Sequence, residues 1–419
     1  MGSGLGVADE SVVQVKSGLS GKYAIVGVGD VPSKRYTPET LPSKLQLATT
    51  AIEAAVADAG LALSEVDCLL SYGADATDSV HVATALGLSL SNYVDIVGGG
   101  SSSEALITMA AGMIVAGSCT TVVIYRALHG YSGERVGLGP AWTPTISSGL
   151  AQAYGVFSAA QQFAPVYASY MARHGITSEQ VANVKATQSL HASANPRALY
   201  PKPVTVTDVL ESRMIVRPVL HLLDCCVESD GAAAIVVTDM QRARSLRQHP
   251  IQILASLGRV SRQNPEYYYW GDLTELGAKR ARRLIFDIAG VTPDDVDLTA
   301  AYDCFTVSST MLLERFGFCD PGGGGDYVAS DAIRLGGRRP NNTSGGQLCE
   351  GYTHGLSLVI ENVRQLRWQA DDYCPGAAEG IHTFDYRPGG CRQVRSPSVA
   401  MNMGWRTPPT QSAMILARD

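Results

Sequence analysis

A pattern that occurs twice constrains this chain more than any other feature. Ala59-Gly60-Leu61 running to Val66-Asp67 is echoed 230 residues later by Ala289-Gly290-Val291 running to Val296-Asp297. In each copy an amphipathic helix precedes the glycine. Leu45, Ala48, Ile52, Ala55 and Ala59 share one face in the first copy, and Leu276, Ala281, Leu284 and Ile288 in the second. Glycine suits the left-handed residue that closes a helix, and Ser64 or Thr292 is placed to cap the following turn. Apolar strands are then expected over 66–72 and 296–302. A short helix-stop pattern can recur by chance, but the same order of helix, stop, loop and strand favours a duplication.

Each half opens on a strand, over 23–28 and 251–257, and then alternates strands with helices, as α/β halves around buried sheets do. At 419 residues, 45% hydrophobic and 17% charged, each half is large enough to bury its own core. The division expected is an N-terminal half over 22–250 and a C-terminal half over 251–419. Residues 128–223 have no counterpart in the second half and carry helix-like runs at 151–174 and 177–194. They read as an inserted loop domain, a natural substrate lid. Residues 1–21 are glycine- and serine-rich without a basic-then-apolar leader pattern, and read as a disordered lead-in.

Charge and cysteine usage exclude several function classes. A net charge of -6 without a Lys/Arg block argues against a nucleic-acid partner. No apolar run approaches the roughly 18 residues of a membrane span. Nine cysteines, an odd number at no framework spacing, suit free thiols in a reducing cytoplasm, and the absence of any CxxC or Cys/His cluster predicts no metal site.

Three further segments carry chemistry: Asp224-Cys225-Cys226 with Ser229-Asp230-Gly231-Ala232-Ala233-Ala234, then Tyr302-Asp303-Cys304-Phe305, then Asn342-Thr343-Ser344-Gly345-Gly346 leading to Gly351-Tyr352-Thr353-His354. Through them the chain resembles, over roughly 22–419, the thiolase superfamily and within it the sterol-carrier-protein type. Catalytic relatives read HDCF at the second segment and GHP at the third, so Tyr302 and Tyr352 stand on the two histidine positions. The nucleophilic cysteine falls near Gly99, in Gly98-Gly99-Gly100-Ser101-Ser102-Ser103. The second active-site loop, Asn402-Met403-Gly404-Trp405, also lacks its cysteine. Acyl transfer needs a thiolate to form the acyl-enzyme, and neither glycine nor an unassisted serine replaces it.

The chain is similar to the thiolase-like aldolases of steroid side-chain degradation, which lack that cysteine and share the YD-x-FT, GGQL-x-E-x-Y-x-HG and DCC-x-E-x-DGA runs. This resemblance implies an α/β thiolase fold of two duplicated halves with central sheets, plus the inserted loop domain. It implies a homodimer that joins a small OB-fold and zinc-ribbon partner protein in a heterotetramer. The substrate implied is a bulky, steroidal 3-hydroxyacyl-CoA with a 17-hydroxyl, cleaved to a ketosteroid and propionyl-CoA. No cofactor is implied beyond the coenzyme A carried by the substrate.

A retro-aldol cleavage needs a base for the β-hydroxyl proton, stabilisation of the thioester enolate and an acid for the α-carbon. Tyr352 is assigned as base and Tyr302 as acid, with the reverse order open. A phenol of pKa about 10 must shift by some 3 units, roughly 4 kcal/mol, to become a ready base at neutral pH. His354 is a candidate proton relay or charge partner. The backbone N–H groups of Gly98 to Ser101, at a helix N-terminus, are candidates to stabilise an oxyanion, and Gly99, Gly100, Ser101 and Gly404 are the residues expected to bind the coenzyme A portion of the substrate.

Two rivals stay open: an acyltransferase acting through Cys349 or a serine, and a thiolase-like scaffold subunit without catalysis. Cys304, His129 and His191 read first as packing residues, as does Cys349. Gly27-Val28-Gly29 lacks the third glycine and the acidic partner of a dinucleotide site. Tyr267-Tyr268-Tyr269-Trp270 reads as a surface loop or a channel lining, Gly322–Gly325 as a flexible loop, and Arg338-Arg339 as a solvated pair or a phosphate contact.

Overall fold

The computed structural model describes residues 18–73, 77–133, 152–261, 272–274, 276–370, 384–387 and 390–419. The aromatic run 267–270 and most of the lead-in lie outside the described residues.

The first half runs β1 (Tyr23–Lys34), α1 (Lys44–Ala59), β2 (Cys68–Tyr72), α2 (Ser79–Leu86), β3 (Asn92–Ile96), α3 (Ser102–Val115) and β4 (Val122–His129). Helices α4 (Ala159–His174), α5 (Ser178–Ala194) and α6 (Val206–Glu211) follow, then a hairpin of β5 (Met214–Val216) and β6 (Leu220–His221). Strand β7 (Asp230–Asp239) and the short α7 (Met240–Ala243) return to the sheet. The second half runs β8 (Ile251–Ser261), α8 (Ala278–Ala289), β9 (Leu298–Ala301), α9 (Thr306–Arg315), α10 (Gly324–Ala329), α11 (Gly346–Cys349), α12 (Leu356–Arg367), β10 (Val399–Thr407) and β11 (Thr410–Arg418).

Outward from the junction of β1 and β8, the strands read β1-β7-β4-β2 on one side and β8-β11-β10-β9 on the other. Each side has two antiparallel pairings followed by a parallel one. The repeat seen in the sequence therefore appears as matching sheet halves. Instead of two separate sheets they form a single nine-stranded one, because Ala24 and Ile25 pair with Gln252 and Ile251. Among the described residues strand β3 has no counterpart, and it lies at the edge beside β2.

Helices α3 and α12, equivalent in the two halves, bury Leu106, Ile107, Leu356, Val359 and Ile360 on one sheet face with Ile25, Leu70, Ile124 and Ile253. Helix α1 covers the opposite face of the first half, with Ala48, Ile52, Ala55 and Ala59 buried as the periodicity predicts. Gly27 and Gly29 are required here: a β-carbon would lie 2.1 Å from the Ala55 carbonyl oxygen at one and 2.3 Å from the Ala55 nitrogen at the other. The glycine pair is thus a strand–helix contact. Gly60 and Gly290 close their helices at φ 77° and 71°.

Some local expectations change. Thr292 does open its turn, its N–H and hydroxyl both donating to Asp295 Oδ2 at 2.8 and 2.7 Å. In the first copy Ser64 lies inside the turn and Glu65 reaches back to the Ala62 N–H at 2.8 Å. Helix α4 starts at Ala159, where Ser158 and Gln161 form a capping box, because the preceding segment breaks at Gly155 with φ 82°. Gly322–Gly325 is partly helical, and Gly324 packs where a β-carbon would meet the Tyr170 hydroxyl at 2.3 Å. Cys391 is disulfide-bonded, against the expectation of free thiols throughout. Pairing depends on which cysteines the fold brings within bonding reach, and spacing alone does not encode that. Cys68, Cys119, Cys225, Cys226, Cys304, Cys319 and Cys349 are free.

Candidate active site

Tyr302 follows directly on β9, and its N–H donates to Met403 O of β10 at 2.9 Å, which carries the ladder one residue further. Asn342 anchors the residue before it: its side chain accepts from Ala301 N and donates to Ala301 O, both at 2.9 Å. Tyr352 lies in the segment between α11 and α12, and its N–H donates to Ser229 Oγ at 2.9 Å. Asp303 ties the two segments together by accepting from Gln347 N at 3.1 Å and Leu348 N at 3.3 Å at the start of α11. Burial pushes the Asp303 carboxyl up to about 6 against those hydrogen bonds.

The two phenols, 50 residues apart in sequence, meet at 2.9 Å from hydroxyl to hydroxyl. Tyr302 is 4% exposed and Tyr352 6%. Burial holds both phenols well above the usual tyrosine range, and Cys226 and Cys304 nearby add to the effect on each. Both are therefore protonated at neutral pH, and one donates to the other.

Glycines shape the space around Tyr302. A β-carbon on Gly100 would lie 2.1 Å from the Tyr302 ring and 2.5 Å from Trp405 O. One on Gly404 would lie 2.2 Å from Ser412 Oγ and 2.5 Å from Gly100 O, and Trp405 N donates to that same Gly100 carbonyl at 3.0 Å. A β-carbon on Gly355, which opens α12, would lie 3.3 Å from the Tyr302 ring. At Gly99 a β-carbon would make only an ordinary 3.5 Å contact with Arg406, so Gly100 is the glycine that admits the tyrosine. Ser101, the cap of α3, is buried and its Oγ has no hydrogen-bond partner. The N-termini of α3 and α12 thus converge on Tyr302, with Gly404 behind them. Glu104, in the first turn of α3, accepts from Ser103 and Ser412 hydroxyls at 2.9 Å each, and burial raises its carboxyl.

His354 stands beside Tyr352, with ring centroids 4.7 Å apart at 64°. Its Nδ1 accepts from Arg126 Nε of β4 at 3.1 Å. Sequence reading missed Arg126, although a signal was present: it is a charged residue inside the apolar strand run of β4.

Other candidates separate from this centre. Cys349 is fully buried, receives a hydrogen bond from Lys185 Nζ at 3.3 Å, and has its thiol raised by burial. That environment is unsuited to an acyl-carrying nucleophile. His191 is buried between Asn342 O and Leu335 N at 3.2 Å each, and burial lowers it to about 4. His129 Nε2 lies 2.8 Å from Pro42 O. Arg338 pairs with Asp294, and Arg339 donates to Val296 O and Pro293 O at 2.9 and 2.7 Å, so both clamp the turn before β9. From α4, Phe163 packs on Phe305 and Trp405 at centroid distances of 5.9 and 5.5 Å, and Tyr167 on the same two at 5.8 and 6.2 Å. The residues flanking Tyr302 and Gly404 are thereby roofed with aromatic rings. Among the described residues no group of three or more His, Cys, Asp or Glu side chains is arranged to hold a metal ion, and no helix is long and apolar enough to cross a membrane.

Residues 261–381 match the family model described as the thiolase C-terminal domain-like family. A 17-hydroxy-3-oxo-4-pregnene-20-carboxyl-CoA lyase of Mycobacterium tuberculosis is 38% identical over 83% of this chain and 92% of its own length. A steroid side-chain-cleaving aldolase of Thermomonospora curvata is 37% identical over 83% of this chain and 91% of its own. Among solved structures, the Ltp2-ChsH2(DUF35) aldolase superposes with a TM-score of 0.84 at 32% identity, covering 96% of this chain and 99% of that one. The fold and these similarities define a thiolase-like protein. Within that class, the chain belongs to the steroid side-chain-cleaving aldolases.

Proposed function

We propose that the chain is a retro-aldolase that cleaves a bulky, steroidal 3-hydroxyacyl-CoA bearing a 17-hydroxyl into a ketosteroid and propionyl-CoA. The observation that carries this reading is the buried 2.9 Å hydroxyl pair of Tyr302 and Tyr352, in a site whose helix opening holds glycine where acyl transfer needs a thiol. Tyr352, as phenolate, removes the proton of the β-hydroxyl. The alkoxide electrons form the ketone as the α–β carbon bond breaks, and that bond pair becomes the thioester enolate. Tyr302 protonates the α-carbon, and the proton on Tyr352 returns to Tyr302 across their hydrogen bond. Proton count and charge close without an acyl-enzyme.

Ground-state phenols this strongly protonated make poor bases, so a positive charge or oriented dipoles must favour the phenolate. The N-terminus of α3 at Gly99, Gly100 and Ser101 is placed to stabilise the enolate oxygen, with Gly404 keeping its backbone close. Within the insertion, α4 acts as the lid, its Phe163 and Tyr167 excluding water from the Tyr302 side.

The chain works as a homodimer built on the edge of β3, where Tyr93 on the strand and Val97 just after it are 49% and 64% exposed and, among the described residues, no strand pairs with the outer side. The dimer binds a small OB-fold and zinc-ribbon partner, and the heterotetramer acts in the cytoplasm. Support for the partner is the likeness to an aldolase whose description names a DUF35 component.

The deciding experiment incubates the chain, alone and with its zinc-ribbon partner, with a 17-hydroxylated steroid side-chain CoA thioester. Ketosteroid and propionyl-CoA in equal amounts support the proposal. Substrate bound but uncleaved in both conditions refutes it for this substrate, and an acyl adduct found by mass spectrometry moves the reading to acyl transfer.

A further inference from the structure

Arg126 is the anomaly of β4. Its strand neighbours Ile124, Tyr125, Ala127 and Leu128 are buried, and Arg126 itself is 1% exposed. A guanidinium stays charged inside a protein, so its burial has to be offset by specific contacts. One of those contacts reaches across to the other half. Arg126 Nε–H donates to His354 Nδ1 at 3.1 Å, while a terminal nitrogen donates to Ala127 O at 2.7 Å. The guanidinium packs on Gly73, where a β-carbon would lie 2.8 Å from Cζ and φ is 127°. It also lies 5.9 Å from the ring centroid of Tyr72. The Tyr72 hydroxyl is 3.2 Å from Thr353 O and 3.1 Å from His354 O, steadying a histidine whose backbone sits in the left-handed region at φ 53°. Strands β2 and β4 therefore hold His354 by its ring and by its carbonyl.

The chemistry of that contact is restrictive. Arginine has no acceptor, so His354 Nδ1 keeps its lone pair and the single ring proton resides on Nε2. A second proton on Nδ1 would set two donors against each other beside a cation. His354 in this state is a neutral ring and not a proton store, which narrows its role from the relay considered above.

We propose that Arg126 is a positioning residue: it locks His354 in the Nε2–H form against Tyr352, and its charge, held one ring away, stabilises the Tyr352 phenolate in the retro-aldol step. This rests on the aldolase reading of the tyrosine pair. Among the described residues, the titratable and charged groups facing Tyr352 include Tyr302 from the end of β9, Cys226 and Cys304 from the segments paired beside it, His354 from its own segment, and Arg126 from β4. Burial above all, and then the two thiols, disfavour a negative phenolate, while Arg126 favours it. The position of that charge on the Tyr352 side accounts for Tyr352, and not Tyr302, being the base.

Two readouts test this. In the unsubstituted chain labelled with 15N-histidine, the His354 signal, assigned by its loss in His354→Gln, is expected to show Nδ1 unprotonated and Nε2 protonated at neutral pH. A proton on Nδ1 overturns the proposal outright and needs no activity. In the active complex, Arg126→Met is expected to move the rising limb of kcat against pH upward by about one unit and to lower the rate at pH 7 about tenfold, with KM changed less than about twofold. Arg126→Lys is expected to restore part of that shift. An unmoved pH profile in both variants overturns the charge role, and the lysine variant decides if the methionine variant does not fold. Absence of cleavage in the unsubstituted complex refutes the aldolase reading instead, and the tautomer spectrum then still decides whether Arg126 sets His354.

Discussion

Replacing the tyrosines one at a time and then together separates what the hydroxyl pair does for stability from what it does for catalysis. Tyr302→Phe or Tyr352→Phe leaves the surviving hydroxyl buried beside an apolar ring, with its 2.9 Å partner gone. An orphaned buried hydroxyl costs about 1–3 kcal/mol. For a chain of this length that is about 1–3 °C in thermal midpoint. The double variant removes both polar groups at once, so its cost is expected to fall below the sum of the singles, a coupling of about 1 kcal/mol or more in a double-mutant cycle. Activity is expected to behave oppositely. Losing one acid or base costs about 10²–10⁴-fold, and the double variant recovers none of it. The assay is propionyl-CoA release with thermal melting of the same samples. Tyr352→Phe cleaving within about threefold of the parent would refute the assignment, whatever the melting curves show.

Gly100→Ala places a methyl 2.1 Å from the Tyr302 ring, and is expected to reduce cleavage at least about 100-fold while lowering stability by about 1–3 kcal/mol, measured by the same two assays. Cys349→Ala is expected to retain cleavage, at a stability cost of about 1–2 kcal/mol; loss of turnover in a folded variant would reopen the acyl-enzyme route. Glu350 is held near about 7, first by burial and then by repulsion from Glu361. Because its folded value lies above the unfolded one, its contribution to stability is full below about pH 4.5 and is lost as pH rises through about 7. Glu350→Gln is therefore expected to flatten the decline in thermal midpoint between those limits, and a parent profile already flat there would contradict the burial argument. Tyr93→Glu with Val97→Glu is expected to yield monomers in sedimentation, and an unchanged dimer would move the interface away from β3.

The parts of the site that were legible in the sequence are those written as local departures from a pattern. Tyr302 and Tyr352 stand where related sequences carry histidines, and the glycine run before α3 stands where they carry cysteine, so their replacement could be read without coordinates. The importance of Gly100 over Gly99 could not, because it depends on a ring arriving from 202 positions away in sequence. Arg126 was visible only as an oddity in a buried strand, since nothing near it in sequence names His354 as its partner.

Helix stops, strand–helix alternation and the duplication were determined by the sequence alone, because capping glycines and apolar periodicity act over a few residues. The joining of both halves into one sheet through β1 and β8, the disulfide at Cys391, the meeting of two phenols 50 residues apart and the contact of Arg126 with His354 were decided only by the tertiary structure. Each of these structural contacts, the Arg126–His354 contact among them, depends on distances between segments remote in the chain, and such distances are set by packing, which no local pattern encodes.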